Sequence, residues 1–259
     1  MQYTLNIRGR LLDMSHPLVM GILNVTPDSF YADSRSMTEE AVARRARQIA
    51  DEGGAIIDVG ACSTRPDSTP VDEQEEMARL RMALPIVRRE VPDAIISVDT
   101  FRPDVAGMVV EELGADIINN VGESLIQNTG VPYILTSSQP TMRETLLFFA
   151  TQVQLLREQG HKDIILDPGF GFGKSVEQNY EQLAHLEQIH VLELPVLVGI
   201  SRKSMIYKSL GIGPEEALTG TTALHAVALM KGASILRVHD VKEAVQTVAL
   251  VGKICQYKQ

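Results

Sequence analysis

The feature that most constrains this chain is a repeat of character: a turn, a short β-branched run, a polar residue, then an amphipathic helical pattern. Eight runs fit it, at residues 18–24, 56–58, 95–99, 116–119, 133–136, 164–167, 196–199 and 234–239. Gly-Ala pairs or prolines introduce most of them, as at Gly54-Ala55, Pro92, Gly114-Ala115, Pro132, Pro195 and Gly232-Ala233. Runs this short and this continuously apolar describe strands of a parallel sheet covered on both faces. From Asn24 to His239 the seven steps average about 31 residues, and eight such units need the roughly 250 residues of a (β/α)8 barrel. The chain of 259 residues therefore reads as α/β, a single TIM barrel domain over 1–259.

Two departures from the repeat carry information. Residues 3–14, with Arg8-Gly9-Arg10 at their centre, read as a hairpin that plugs the N-terminal end of the barrel. Between Asn119 and Tyr133 only about a dozen residues remain, near the minimum for a parallel crossover, so the fourth βα unit is expected to be shortened. Ser36 with Glu39, and Thr141 with Glu144, have the capping-box form ahead of helical stretches, and residues 141–159 present a Met/Leu core face.

Composition excludes whole classes of function. With 24 basic against 33 acidic residues the net charge is −9, which argues against a general nucleic-acid or anionic-membrane binder. Any anionic ligand must be met by a local group of cations. The longest apolar runs fall far short of a membrane span, and residues 1–10 lack the apolar core of a signal peptide. Cys62 and Cys255 are too few for a disulfide framework or a four-thiolate zinc site. A cytoplasmic enzyme with small-molecule substrates is the expectation.

The strands begin blandly and end in chemistry: Asn24, Asp58, Asp99, Asn119, Asp167, Ser201-Arg202-Lys203 just past Gly199, and Arg237 with His239. In a parallel barrel these ends gather on the rim that carries active sites. The stretch Asp167-Pro168-Gly169-Phe170-Gly171-Phe172-Gly173-Lys174 fits neither a P-loop nor the dinucleotide fingerprint. It is either a flexible turn or a loop whose backbone comes close to a flat ligand. Asp58 reads as an anchor for the loop after it, and Arg202 either as a site residue or as a salt-bridge partner at a helix start. The two cysteines read as inert, and His185 and His190 as surface residues.

Seven segments in order, Asn24–Phe30 (Asn-Val-Thr-Pro-Asp-Ser-Phe), Ser63–Pro66, Ser97–Thr100, Ile118-Asn119, Asp167–Lys174, Gly199–Lys203 and Arg237–Asp240, resemble the dihydropteroate synthases across nearly the whole chain. The resemblance implies condensation of a dihydropterin diphosphate with p-aminobenzoate, releasing diphosphate. It implies a pterin held by Asp99, Asn119, Asp167 and Lys203, with Phe172 and Gly199 lining a flat pocket. It further implies Mg²⁺ at Asn24, diphosphate contacts from Thr64, Arg65, Arg237 and His239, a p-aminobenzoate contact from Ser201, and a homodimer. Asp99, Lys203 and Arg65 are the expected catalytic residues. The chemistry of these side chains agrees. The pterin's aminopyrimidinone edge suits carboxylate and amide oxygens, its carbonyl suits an ammonium, and arginine's fork suits a diphosphate.

Three places depart from the family pattern. Tyr31-Ala32-Asp33-Ser34 stands where the first loop usually ends in glycines. In the second loop, Cys62 and Asp67 replace a glutamate and a glycine. Thr136-Ser137-Ser138 replaces a Met-His-Met stretch, with residues missing on both sides. Two alternatives stay in view: a pterin-dependent corrinoid methyltransferase domain, which shares a related barrel and the pterin-holding Asp/Asn set, and a non-catalytic pterin-binding paralogue, which these changes motivate.

Overall fold

The structure is a computed structural model that describes residues 3–25, 35–62, 71–120, 127 and 129–257, with 35–38 as backbone only. It opens on a hairpin, β1 (Thr4–Ile7) and β2 (Arg10–Asp13), paired antiparallel with Ile7 opposite Arg10. Arg8 and Gly9 both have positive φ, 50° and 76°, as a two-residue hairpin turn requires.

The repeat then follows as β3 (Leu18–Asn24), α1 (Arg35–Asp51), β4 (Ile56–Gly60), α2 (Glu73–Glu90), β5 (Ile95–Asp99), α3 (Pro103–Glu111) and β6 (Ile117–Asn120). It continues with β7 (Tyr133–Thr136), α4 (Met142–Glu158), β8 (Ile164–Asp167), α5 (Val176–Ala184), β9 (Leu197–Val198), α6 (Ser204–Leu210), α7 (Leu218–Met230), β10 (Ile235–Val238) and α8 (Val241–Cys255). Between β6 and β7 no helix occurs among the described residues, in line with the shortened fourth unit.

The eight parallel strands run in the order β8-β7-β6-β5-β4-β3-β10-β9. A parallel bridge between Leu166 and Val196 joins the two ends, so the sheet closes into a barrel. Alternation along each strand sorts the side chains. Ile57, Val59, Val98, Ile118, Leu135, Leu166, Val198 and Leu236 point outward into the core shared with the helices. The inward positions nearest the strand starts (Met20, Ile56, Ile117, Ile134, Ile165, Leu197 and Ile235) form a separate apolar cluster with Leu5, Ile7 and Met14.

The hairpin therefore is the plug that the sequence suggested. Arg8 pins it from outside, donating through Nε to Asp116 at 2.5 Å and through Nη2 to the Ala94 carbonyl at 2.8 Å.

Capping matches the sequence at one helix and not at another. The Thr141 hydroxyl accepts from the Glu144 amide at 3.3 Å and donates to its carboxylate at 2.7 Å. Helix α1 begins at Arg35, which puts Ser36 inside the first turn rather than at the cap. A box absent from the sequence reading, Ser175 with Gln178, starts α5.

Candidate active site

Two residues beyond the apolar floor, the inward side chains turn mostly polar: Asp58, Ser97, Asn119, Thr136, Asp167 and Arg237, with glycine at Gly199 and one apolar position at Ile22. Period-two alternation forces this, since each sits at i+2 from a floor residue or in register with one that does. Asp58, Ser97, Asn119, Thr136 and Asp167 are buried. Ser97 Oγ, Asn119 Oδ1 and Thr136 Oγ1 are buried without a hydrogen-bond partner among the described residues. Each such orphan costs about 1–3 kcal/mol. Three in one layer mark a place built to meet a polar ligand.

Arg237 sits at the centre of this layer. Its Nε donates to Asp58 at 2.6 Å and its Nη2 to Asp99 at 2.6 Å. Burial opposes its charge, but Asp58 and Asp99 more than offset that and hold the guanidinium above its ordinary pKa. Asp58 also accepts from Asn119 Nδ2, at 3.3 and 3.5 Å. Among the described residues its bonds thus cross the barrel, and most of the following loop that the sequence reading had it anchor lies outside them. Asp99 reaches higher on the rim; burial raises its pKa to about 7 against the pull of Arg237.

Lys203 caps α6 from outside the helix. Its Nζ donates to the Phe170 carbonyl and lies 4.7 Å from the centre of the Phe172 ring. Burial lowers its pKa to about 8, with Asp167 opposing the shift. Asp167, raised by burial against the pull of Lys203, accepts the Gly169 amide at 2.8 Å. A side chain at Gly199 would put its Cβ 3.9 Å from the Lys203 ammonium, so glycine keeps the pocket wall open there.

The glycine-rich stretch after β8 is a close-approach loop. Gly169 has φ +67°, and a Cβ there would lie 2.0 Å from the Ser137 carbonyl oxygen. Lys174 makes the tie: its Nζ donates to the carbonyls of Ser137 (2.9 Å), Gly169 (3.0 Å) and Phe172 (3.4 Å). This lysine had no role in the sequence reading, and it binds backbone rather than ligand.

The other expected residues fall as follows. Ser201 is buried and its hydroxyl accepts the His239 amide at 3.2 Å, which joins the loops after β9 and β10. Arg202 resolves as a structural partner, paired with Asp240 at 2.8 and 2.9 Å and donating to the Pro214 and Glu215 carbonyls. Asn24 ends β3 on the rim, exposed, with its Oδ1 over Gly60 and near Asp99. His185 is exposed, and His190 contacts the Lys231 carbonyl. Thr64 and Arg65 lie outside the described residues, as do Tyr31 to Ser34 and Asp67.

Sequence reasoning passed over Ser97 and Thr136, which the spacings Ile95-x-Ser97 and Ile134-x-Thr136 would have placed inside the barrel.

Residues 20–239 match the model of a family described as pterin binding enzyme. The chain is 39% identical to the dihydropteroate synthase of Escherichia coli strain K12, over 94% of each chain. It is 37% identical to that of Bacillus subtilis strain 168, over 87% of this chain and 84% of the relative. Among solved structures, the Yersinia pestis dihydropteroate synthase in a sulfonamide drug complex superposes with a TM-score of 0.88 at 37% identity, covering 99% of this chain and all of that one. The Xanthomonas albilineans dihydropteroate synthase with 4-aminobenzoic acid superposes at 0.86 and 34% identity over the whole of both chains. A barrel with an apolar floor, a polar layer of unmet hydrogen-bonding groups and these whole-length relatives leads to one assignment: the chain belongs to the pterin binding enzyme family.

Proposed function

We propose that this chain is a dihydropteroate synthase, joining a dihydropterin methyl diphosphate to p-aminobenzoate. The observation that carries the reading is the polar layer, where Asp99, Asn119, Asp167 and Lys203 converge around orphaned buried oxygens. In this reading the carboxylates and the Asn119 oxygen accept from the pterin's amino and ring N–H groups, and Lys203 donates to its carbonyl. Phe172 and Gly199 form the walls of a flat slot.

The reaction breaks the bond between the pterin methylene carbon and the diphosphate oxygen. A bond to the aryl amine then forms, and the amine releases a proton. Arg237 and His239, with Thr64 and Arg65, are assigned to the leaving diphosphate, where preorganised cations stabilise the charge that develops. Asp99 as a carboxylate steadies the electron-poor pterin. Ser201 is assigned to the carboxylate of p-aminobenzoate, the same site a sulfonamide would take. A neutral aniline needs no activating base, so the scheme calls for none.

Mg²⁺ is part of the proposal. Asn24 fits it: its side chain stands at the rim and makes no hydrogen bond to the described residues. Mg²⁺ takes few protein ligands, keeps water and bridges phosphate oxygens, so one amide oxygen beside a diphosphate suffices. When bound it would supply positive charge to the leaving group.

A homodimer is proposed through α7 and α8. The α7 sequence is largely apolar, and Val227 and Met230 on α7 and Leu250 and Ile254 on α8 are exposed. No helix among the described residues is long and apolar enough to cross a membrane, and a cytoplasmic setting is proposed with it.

The test is turnover. Purified protein with Mg²⁺, pterin diphosphate and p-aminobenzoate should yield dihydropteroate and diphosphate in equal amounts. Tight pterin binding without product would favour the non-catalytic paralogue, and methyl transfer to a corrinoid would favour the methyltransferase.

A further inference from the structure

Asp58 has no task in the scheme above, yet it is fully buried in the middle of the site. Its position shows a problem that the site must solve. Arg237 and Asp99 stand in contact, and an arginine beside a carboxylate prefers to close on it through two parallel N–H···O bonds. Such a closed pair would engage both Arg237 and Asp99 with each other. The guanidinium fork would then face away from an anion, and the Asp99 oxygens away from a pterin.

The observed geometry avoids this. Asp58 takes Nε at 2.6 Å, which leaves Asp99 only a single contact from Nη2, also at 2.6 Å. Nη1 makes no hydrogen bond to the described residues. The contact is long-range, 179 residues apart in sequence, and exists only because β10 closes the barrel against β3, next to β4. The same carboxylate faces the Asn119 amide. A carboxylate can only accept, so it obliges Asn119 to turn Nδ2 toward it and Oδ1 away. That Oδ1 is the orphaned acceptor of the pocket.

We infer that Asp58 is a positioning residue: by holding Nε it keeps Arg237 from closing onto Asp99, and so keeps the Nη edge of Arg237 available to the diphosphate. The inference rests on the synthase reading, in which Arg237 meets the leaving diphosphate. An amide at 58 has no charge and a single acceptor to divide between Arg237 Nε and Asn119 Nδ2, so its hold on Nε weakens and the guanidinium is free to turn its Nη1/Nη2 edge onto Asp99.

The experiment is a double-mutant cycle read by calorimetry, with inorganic diphosphate and Mg²⁺ as the probe. Wild type should bind the probe, and D58N should bind it at least tenfold more weakly. In an R237Q background the same D58N change should matter less than threefold, because the group it positions is gone. Equal losses in both backgrounds would mean that Asp58 supports the fold generally, and the inference would be overturned. Wild-type affinity retained in D58N would overturn it too. If wild type itself fails to bind diphosphate, the synthase reading fails instead, so the two failures are distinct. Thermal melts of each variant check folding. Should D58N alone not fold, R237Q compared with D58N/R237Q carries the test: equal affinities support the inference, and a further tenfold loss overturns it.

Discussion

The two ends of the barrel are built from the same strands, two residues apart, and obey opposite rules. At the floor, Met20, Ile56, Ile117, Ile134, Ile165, Leu197 and Ile235 meet the hairpin's Leu5, Ile7 and Met14 in an apolar contact. One step up, the inward positions carry three carboxylates or amides, an arginine and hydroxyls, and three of their atoms are buried without partners among the described residues. The difference teaches where this fold keeps its stability and where it gives some up. Burial at the floor stabilises at about 25 cal/mol per Å² of apolar surface. Burial in the polar layer costs until a ligand arrives.

That division can be broken from either side. The largest effect is expected at the floor: Leu5→Ala should destabilise the protein by about 2–5 kcal/mol in denaturant titration. The kcat/KM of the folded protein should stay unchanged. A parallel fall in kcat/KM, measured well below the transition, would show that the ends are not independent.

Next comes Lys203→Met, which should weaken pterin binding by about 1.5–3 kcal/mol while stability holds or rises. Removing a charge that burial already disfavours relieves the layer. An unchanged pterin affinity would place Lys203 outside the pocket.

Smaller and sharper is the pH dependence. Asp99 is anionic above about 7 and Lys203 cationic below about 8. The kcat/KM for the pterin diphosphate should therefore fall as pH drops through the first value and as it rises through the second. D99N should erase the acidic limb. A flat profile from about pH 6 to 9 would contradict both assignments.

The smallest effect belongs to Cys62, where Cys62→Ser should alter stability by no more than about 0.5 kcal/mol and leave turnover in place. Burial and the Glu76 charge raise its thiol pKa, so it stays protonated near neutral pH. Loss of most turnover in a folded C62S variant would assign this thiol a role that the scheme lacks.

The barrel was legible because strand runs and their spacing are local facts, and the plug because an Arg-Gly pair between two short runs forces a hairpin. Most of the side chains that the structure gathers at the rim of the barrel were legible as polar strand ends. Ser97 was missed because it lies inside its run, whereas the barrel interior is set by every second residue, and Thr136 because a strand-ending threonine was given no role. The cross-barrel contacts of Asp58 were illegible for a different reason. Its partner lies 179 residues away, and no local pattern announces a contact made only when the ring of strands closes. Arg202 stayed open until Asp240 was seen beside it.

The plug also sets a clock. Leu5 and Ile7 leave the ribosome well before their docking surface is complete, since that surface includes Ile235, roughly 230 residues later. At about 5–20 residues per second this is a wait of about 10–50 s, during which an unclosed sheet carries a bare apolar inner face. Chaperone shielding is the natural remedy for that interval. Ribosome-stalled chains ending before β10 should accordingly show a protease-sensitive N-terminal hairpin, and chains extending past α8 a protected one.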